Sequence, residues 1–182
     1  MSIVLQSTSG GSVTINEPTT ASNFTQTLPA STGTVMVSGN MPAFSAYLSA
    51  NQNLTSATYT KVTINTETFD TANAYDNTTN YRFTPQVAGY YQISGAVAFN
   101  STGANPTTSI GLIYKNGTAI KSGIGASVAS AYAVVTTGLI YLNGSTDYVE
   151  LYAYASGGTG TLYVQASGTS YTYFDGVLVR TA

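Results

Sequence analysis

Residues 89–99, GYYQISGAVAF, are the run that most narrows what this chain can fold into. In an extended strand successive side chains point to opposite faces. Tyr91, Ile93, Val97 and Phe99 then share one face, and Tyr90 shares the other with Gln92, Ser94, Ala96 and Ala98. An antiparallel sheet with one solvated face shows water a polar alternation. Here the second face carries small residues and a tyrosine, so something other than water is expected to cover it.

The same two-sided pattern recurs. Leu139 and Tyr141 oppose Ile140 and Leu142, while Val149 and Leu151 oppose Tyr148, Tyr152 and Tyr154. In YTKVTINTETF (59–69), Val62 and Ile64 alternate with Lys61, Thr63, Asn65 and Glu67. IGLIYKNGTAI (110–120) reads as two strands around Asn116-Gly117, a dipeptide suited to the positive φ angles of a type I′ turn. VVTTGLIYLNGSTDYVELYAYA (134–155) predicts a second such hairpin around Asn143-Gly144, and GGTG (157–160) a third turn. GTLYVQA and YFDGVLV supply the last strands. No stretch carries helical periodicity. Short strands at close spacing with Gly-rich turns predict an all-β sandwich.

Only 7% of the residues are charged, against about 25% in an average domain. The five basic residues are scattered from Lys61 to Arg180 and the net charge is −2. That excludes the clustered Lys and Arg that nucleic acid or an anionic membrane requires. With no His and no Cys, Ser/His and Cys/His catalysis and nearly all zinc sites are excluded. Two carboxylate pairs remain, Glu67 with Asp70 and Asp147 with Glu150. At a spacing of three in a strand they point apart, so no enzyme activity, cofactor or metal is expected. Asp76 or Asp175 with backbone carbonyls is the remaining place for a calcium ion.

Residues 1–40 hold one charge, Glu17, and no tyrosine. GGSVTINEP and NFTQTLPASTGTVMVSG read as short strands with too few large apolar groups for a core of their own. They predict either a flexible tail or a β-rich N-terminal arm ordered against a neighbour, followed by one domain over 41–182. The β-branched pairs Val13/Ile15 and Val35/Val37 favour the arm. The start has no basic n-region and no run approaches about 18 apolar residues, so neither a signal peptide nor a membrane helix is expected.

PAFSAYLSANQNL (42–54) is similar to the first strand of the globular head shared by complement C1q and, at fold level, tumour necrosis factor. AYDNTTNYRFTPQVAGYYQISGAVAF (74–99) resembles that family's signature through Tyr75-Asp76, Phe83, Gly89, Tyr90, Tyr91 and Ile93, with Pro85 one residue early. LIYKNGTAI, LIYLNGSTDYVELYAY and TYFDGVLV (172–179) resemble its later strands, with Val177 in place of a second Phe. The resemblance implies a ten-stranded jelly roll that forms a homotrimer about a three-fold axis. It implies buried contacts at Tyr90 or Tyr91, Tyr148, Tyr152 and Phe174. The collagen stalk and the calcium carboxylates of the secreted members have no counterpart here.

GGSVTINEPTTASNFTQTLPASTGTVMVSG resembles leader segments that precede the distal domains of tailed-bacteriophage virion proteins. Together the two resemblances imply a non-catalytic virion surface protein made in the host cytoplasm. Capsid decoration or a head fibre is the leading form, with residues 1–40 attached to the major capsid protein or a fibre base. The alternatives are a tail-fibre tip that binds host-surface glycan through loop tyrosines Tyr132 or Tyr171, and a cell-encoded carbohydrate-binding or adhesion module.

Overall fold

The structure, a computed structural model, describes residues 2–16, 41–126 and 132–182, with isolated positions 19, 25, 27, 30 and 39. The chain divides into two compact units, Met1–Val35 and Met36–Ala182. In the first, β1 (Ser2–Gln6) pairs antiparallel with β2 (Ser12–Asn16). Ile3 faces Ile15 and Leu5 faces Val13, and all four remain exposed. The expected strand in GGSVTINEP is β2, whereas the one in residues 23–39 lies almost wholly outside the described residues. SIVLQ was not expected to be a strand; it forms one because it meets β2 through the turn at Ser7–Gly11.

The second unit opens with β3 (Ala43–Tyr47), β4 (Gln52–Leu54), β5 (Thr60–Lys61), β6 (Thr66–Asp70), β7 (Tyr75–Asp76) and β8 (Arg82–Phe83). It continues with β9 (Gly89–Ser101), β10 (Thr108–Lys115), β11 (Thr118–Ala126), β12 (Tyr132–Leu142), β13 (Val149–Ser156), β14 (Leu162–Val164) and β15 (Tyr173–Thr181). One sheet runs β12-β9-β15-β3-β6, with β14 and β4 extending it past the end of β15. The other runs β11-β10-β13-β8-β7, with β5 also on β13. Among the described residues every pair of these strands is antiparallel. The two sheets enclose one core, an all-β sandwich as the alternation predicts.

The inward side of β9 is the expected one: Tyr91, Ile93, Val97 and Phe99 are fully buried. The signature residues collect at one end of the core as an aromatic cluster. Phe44 stacks on Tyr75 and Phe83 at centroid distances of 5.0 and 4.3 Å, with Phe174 edge-on at 5.3 Å. Tyr91 meets Phe83 edge-on at 5.6 Å. The buried hydroxyls are satisfied, since Tyr75 donates to the Ile64 carbonyl and Tyr91 to the Val87 carbonyl. The Asn116-Gly117 hairpin forms as expected, with φ of 51° and 78° in a two-residue loop between β10 and β11.

Three expectations about connections fail, for identifiable reasons. Asn143-Gly144 is no hairpin: β12 pairs with β9 and β13 with β10, so the segment crosses between sheets. The Asn143 side chain accepts the amides of Ser145, Thr146 and Asp147, which winds the chain into a loop rather than a ladder-closing turn. GGTG likewise leads from β13 in one sheet to β14 in the other. Residues 62–65 are not strand although Val62 and Ile64 are fully buried. There the Gln52 amide replaces a neighbouring strand, donating to the Lys61 carbonyl and accepting from the Thr63 amide.

Candidate functional site

Residues directly opposite in an antiparallel pair share a face, so the register defines the outer surface of the β12-β9-β15-β3-β6 sheet. One transverse row runs Tyr141–Tyr90, the next Leu139–Gln92–Val177–Ala43, the next Thr137–Ser94–Asp175–Ser45–Phe69, and the last Val135–Ala96–Tyr173–Tyr47. Val135, Leu139, Tyr141, Tyr90, Val177, Val179 and Phe69 are each 39–56% exposed. Seven large apolar groups on one sheet face form a patch of the kind that marks an interaction site. At its centre Ala43, Phe69, Gln92, Ser94, Asp175 and Val177 border a shallow depression of about 420 Å³.

The opposite face is tyrosine-rich and more polar. Tyr114 stacks on Tyr152 at 3.9 Å, Tyr59 leans on Tyr154 at 4.8 Å, and the Arg82 guanidinium lies 4.3 Å from the Tyr148 ring centre. Burial pushes the Tyr114 and Tyr152 hydroxyls above the ordinary phenol value. Among these rings the Lys61 ammonium meets the nearly buried Glu150 carboxylate at 2.5 Å.

The residues expected at subunit contacts therefore separate. Tyr90 lies on the apolar outer face, and Tyr148 and Tyr152 lie on the outer face of the other sheet. Tyr91 and Phe174 are corrected: both are fully buried in the protomer's own aromatic cluster and reach no surface. Tyr141, Leu139, Val135 and Phe69 share the exposed apolar face with Tyr90 and were not among the expected residues. Strand alternation was the available signal, once the partner side had been recognised as core. Tyr132 is corrected too, because it is no loop tyrosine; it opens β12, packs near Phe99 and donates its hydroxyl to Ser109. Tyr171 lies between β14 and β15, 42% exposed.

Asp70, Asp76 and Asp147 are committed to structure. Asp70 accepts the amides of Ala72, Ala74 and Tyr75. Asp147 is held by Lys115 at 2.8 Å and by Asn116. Asp76 accepts from Thr78, Thr79 and Asn80, which holds its pKa far below the ordinary carboxylate range. Neither expected carboxylate pair converges on a shared cleft, and among the described residues no three acidic side chains gather as metal ligands.

The sequence matches no known family signature and no curated protein. The solved structures give a clear answer about architecture. Murine APRIL, in crystals at pH 5.0, 8.0 and 8.5, superimposes with a TM-score of 0.56 at 10% identity, over 76% of this chain and 99% of that one. Eiger TNF from S. frugiperda gives 0.54 at 9% identity, over 78% of this chain and 93% of its own. The fold is the tumour-necrosis-factor-like jelly roll. At these identities the likeness concerns the fold alone, and the aromatic cluster of Phe44, Tyr75, Phe83, Tyr91 and Phe174 is how this chain builds it.

Proposed function

We propose that the chain is a non-catalytic, homotrimeric structural protein on the surface of a tailed-phage virion, acting in capsid decoration or as a head fibre. The observation that carries the assembly is the apolar outer face centred on Tyr90, Tyr141, Leu139 and Val177, which a single copy leaves open to water. Burying a large side chain yields about 1.5–3 kcal/mol when complete, so covering seven half-exposed ones is a substantial driving force. The absence of His and Cys and the engagement of the carboxylates support a role without catalysis.

The virion setting rests on the likeness of residues 10–39 to phage leader segments. In this reading the N-terminal unit attaches to the major capsid protein or a fibre base, and the jelly roll projects outward. Sedimentation of the pure protein at micromolar concentration tests the assembly, and a stable folded monomer would overturn it. Imaging of the assembled particle tests the setting: knobs on the shell support decoration, and density at the tail alone refutes it. Removing residues 1–40 is expected to leave trimers intact and abolish attachment to particles.

A second reading, a tail-fibre tip or adhesion module that binds glycan, is favoured by the tyrosine face. It presents Tyr59, Tyr114, Tyr148, Tyr152 and Tyr154 on the sheet opposite the apolar one, and aromatic rings stack on sugar C–H faces. Retention on host-surface glycans, lost on replacing Tyr59 and Tyr154 with Ala, would support it over decoration.

A further inference from the structure

The hairpin of the N-terminal unit has two unlike sides. Directly opposite residues of β1 and β2 share a side, so Ile3 with Ile15 forms one apolar layer and Leu5 with Val13 a second beside it. Each of the four is 55–64% exposed. The reverse side carries Gln6, Ser12 and Thr14 around one apolar residue, Val4. A one-residue slip of register would exchange the two sides, and the turn holds the register against it. Ser7 donates its amide to the Gly11 carbonyl at 2.7 Å, and Gly10, at a φ of 90°, donates to the Ser7 carbonyl at 3.1 Å.

A two-stranded ribbon is marginal at best in water and needs further strands or packing on its apolar side. Three observations point to other copies of the same ribbon as the cover. Residues 2–16 contain no charged side chain. Rotation about a symmetry axis brings each residue near its own counterparts at one height, where a charge would meet like charges, and this ribbon has none to oppose. Its apolar side also lacks any polar or charged group by which a foreign partner would be selected over other apolar surfaces. Finally, assembly of the jelly rolls puts three such ribbons in one particle, so their meeting is intramolecular and favoured by effective concentration.

We propose that the β1–β2 hairpins of three copies pack against one another around a three-fold axis, apolar sides inward, as a six-stranded prism. Its interior is two layers of six side chains, one of Ile3 with Ile15 and one of Leu5 with Val13 from each copy. The inference rests on the homotrimer reading and adds a second contact between copies, far in sequence from the jelly roll. The jelly rolls make the trimer, and the hairpins complete it. The side left for an attachment partner is then the one bearing Val4, Gln6, Ser12 and Thr14.

The chain contains no cysteine, so a single introduced thiol reports on one position, and any disulfide it forms joins two copies. Leu5→Cys and Val13→Cys place the thiol inside the prism, and Thr14→Cys places it outside. In the full-length protein, Leu5→Cys is expected to react with a soluble maleimide at least about 10-fold more slowly than Thr14→Cys. Copper-catalysed oxidation of Leu5→Cys, or of Leu5→Cys co-expressed with Val13→Cys, should give disulfide-linked pairs of copies, while Thr14→Cys stays mostly single.

Circular dichroism and sedimentation confirm that each variant folds and assembles like the parent. A Leu5→Cys thiol as reactive as that of Thr14→Cys shows the apolar side open to water and overturns the prism. A protected thiol that never links two copies shows the side covered by something other than a sister hairpin, which also overturns it. Both results leave the jelly-roll trimer standing, whereas a parent protein that sediments as a folded monomer refutes the trimer and the prism together.

Discussion

Tyr90 and Tyr141 face each other across the β9–β12 ladder with ring centres 5.5 Å apart, on the side of the sheet turned away from the core. Their immediate neighbours in sequence, Tyr91 and Ile140, are buried inside the sandwich. One ladder thus serves two apolar environments, and substitutions on its two sides should have separable effects. Leu139→Glu or Tyr141→Asp is expected to leave the protomer folded, with its thermal midpoint as a monomer nearly unchanged. A charge driven into a covered apolar contact should weaken assembly by about 2–4 kcal/mol, or roughly 30- to 1,000-fold in dissociation concentration. Analytical ultracentrifugation across a dilution series reads this directly, and variants that assemble like the parent would remove this face from the interface.

Gly89 illustrates a fixed requirement of the fold. It pairs with Thr181 where β15 is bulged, and an added Cβ would lie 2.4 Å from the Arg180 carbonyl oxygen. That neighbour is backbone, so it cannot rotate aside. Gly89→Ala is expected to cost about 1–3 kcal/mol through overpacking, seen as a lower urea midpoint with an unchanged slope.

The period-2 runs made the sandwich legible, and Asn116-Gly117 fixed one hairpin because both positions need positive φ. Asn143-Gly144 repeats the dipeptide without repeating the structure. Its outcome is decided by Asp147, which accepts the Asn143 amide and an Asn116 side-chain N–H while pairing with Lys115 from another hairpin. Asn116 and Lys115 lie about thirty residues away in sequence, so no local pattern contains them. Val62 and Ile64 mislead similarly: both are buried as a strand would require, but the Gln52 side chain stands where a strand would be. On β9 the alternation separated Tyr90 from Tyr91 correctly. What alternation alone does not supply is what covers the outer of the two faces.

Thr172 joins the end of β14 to the start of β15 on a common neighbour. Its fully buried hydroxyl accepts the Ala98 amide at 3.1 Å and donates to the Gln165 carbonyl at 2.7 Å. Valine has nearly the same shape, so Thr172→Val isolates the hydrogen bonds from the packing. Leaving two buried backbone groups unpaired is expected to cost about 1–3 kcal/mol. Denaturant unfolding should show the loss, and faster exchange of the Ala98 amide should place it at this junction.

The pH response follows from Asp76 and Asp147, both held below the ordinary carboxylate range. For Asp76 the leading cause is the backbone hydrogen bond from Thr79, and for Asp147 the hydrogen bond from Lys115. A carboxyl whose folded value lies below its unfolded value, about 3.9 for Asp, contributes its full stabilisation above that unfolded value. The contribution declines as pH falls through the interval toward the folded value. These two groups should therefore contribute a constant stabilisation from neutrality down to about pH 5 and lose it steadily below about pH 4. Asp76→Asn removes the titration while keeping an acceptor for the turn. It is expected to lower stability at pH 7 and to flatten the acid slope, so the two curves approach one another as pH falls. Parallel curves for parent and variant would show that Asp76 has no share in the acid response.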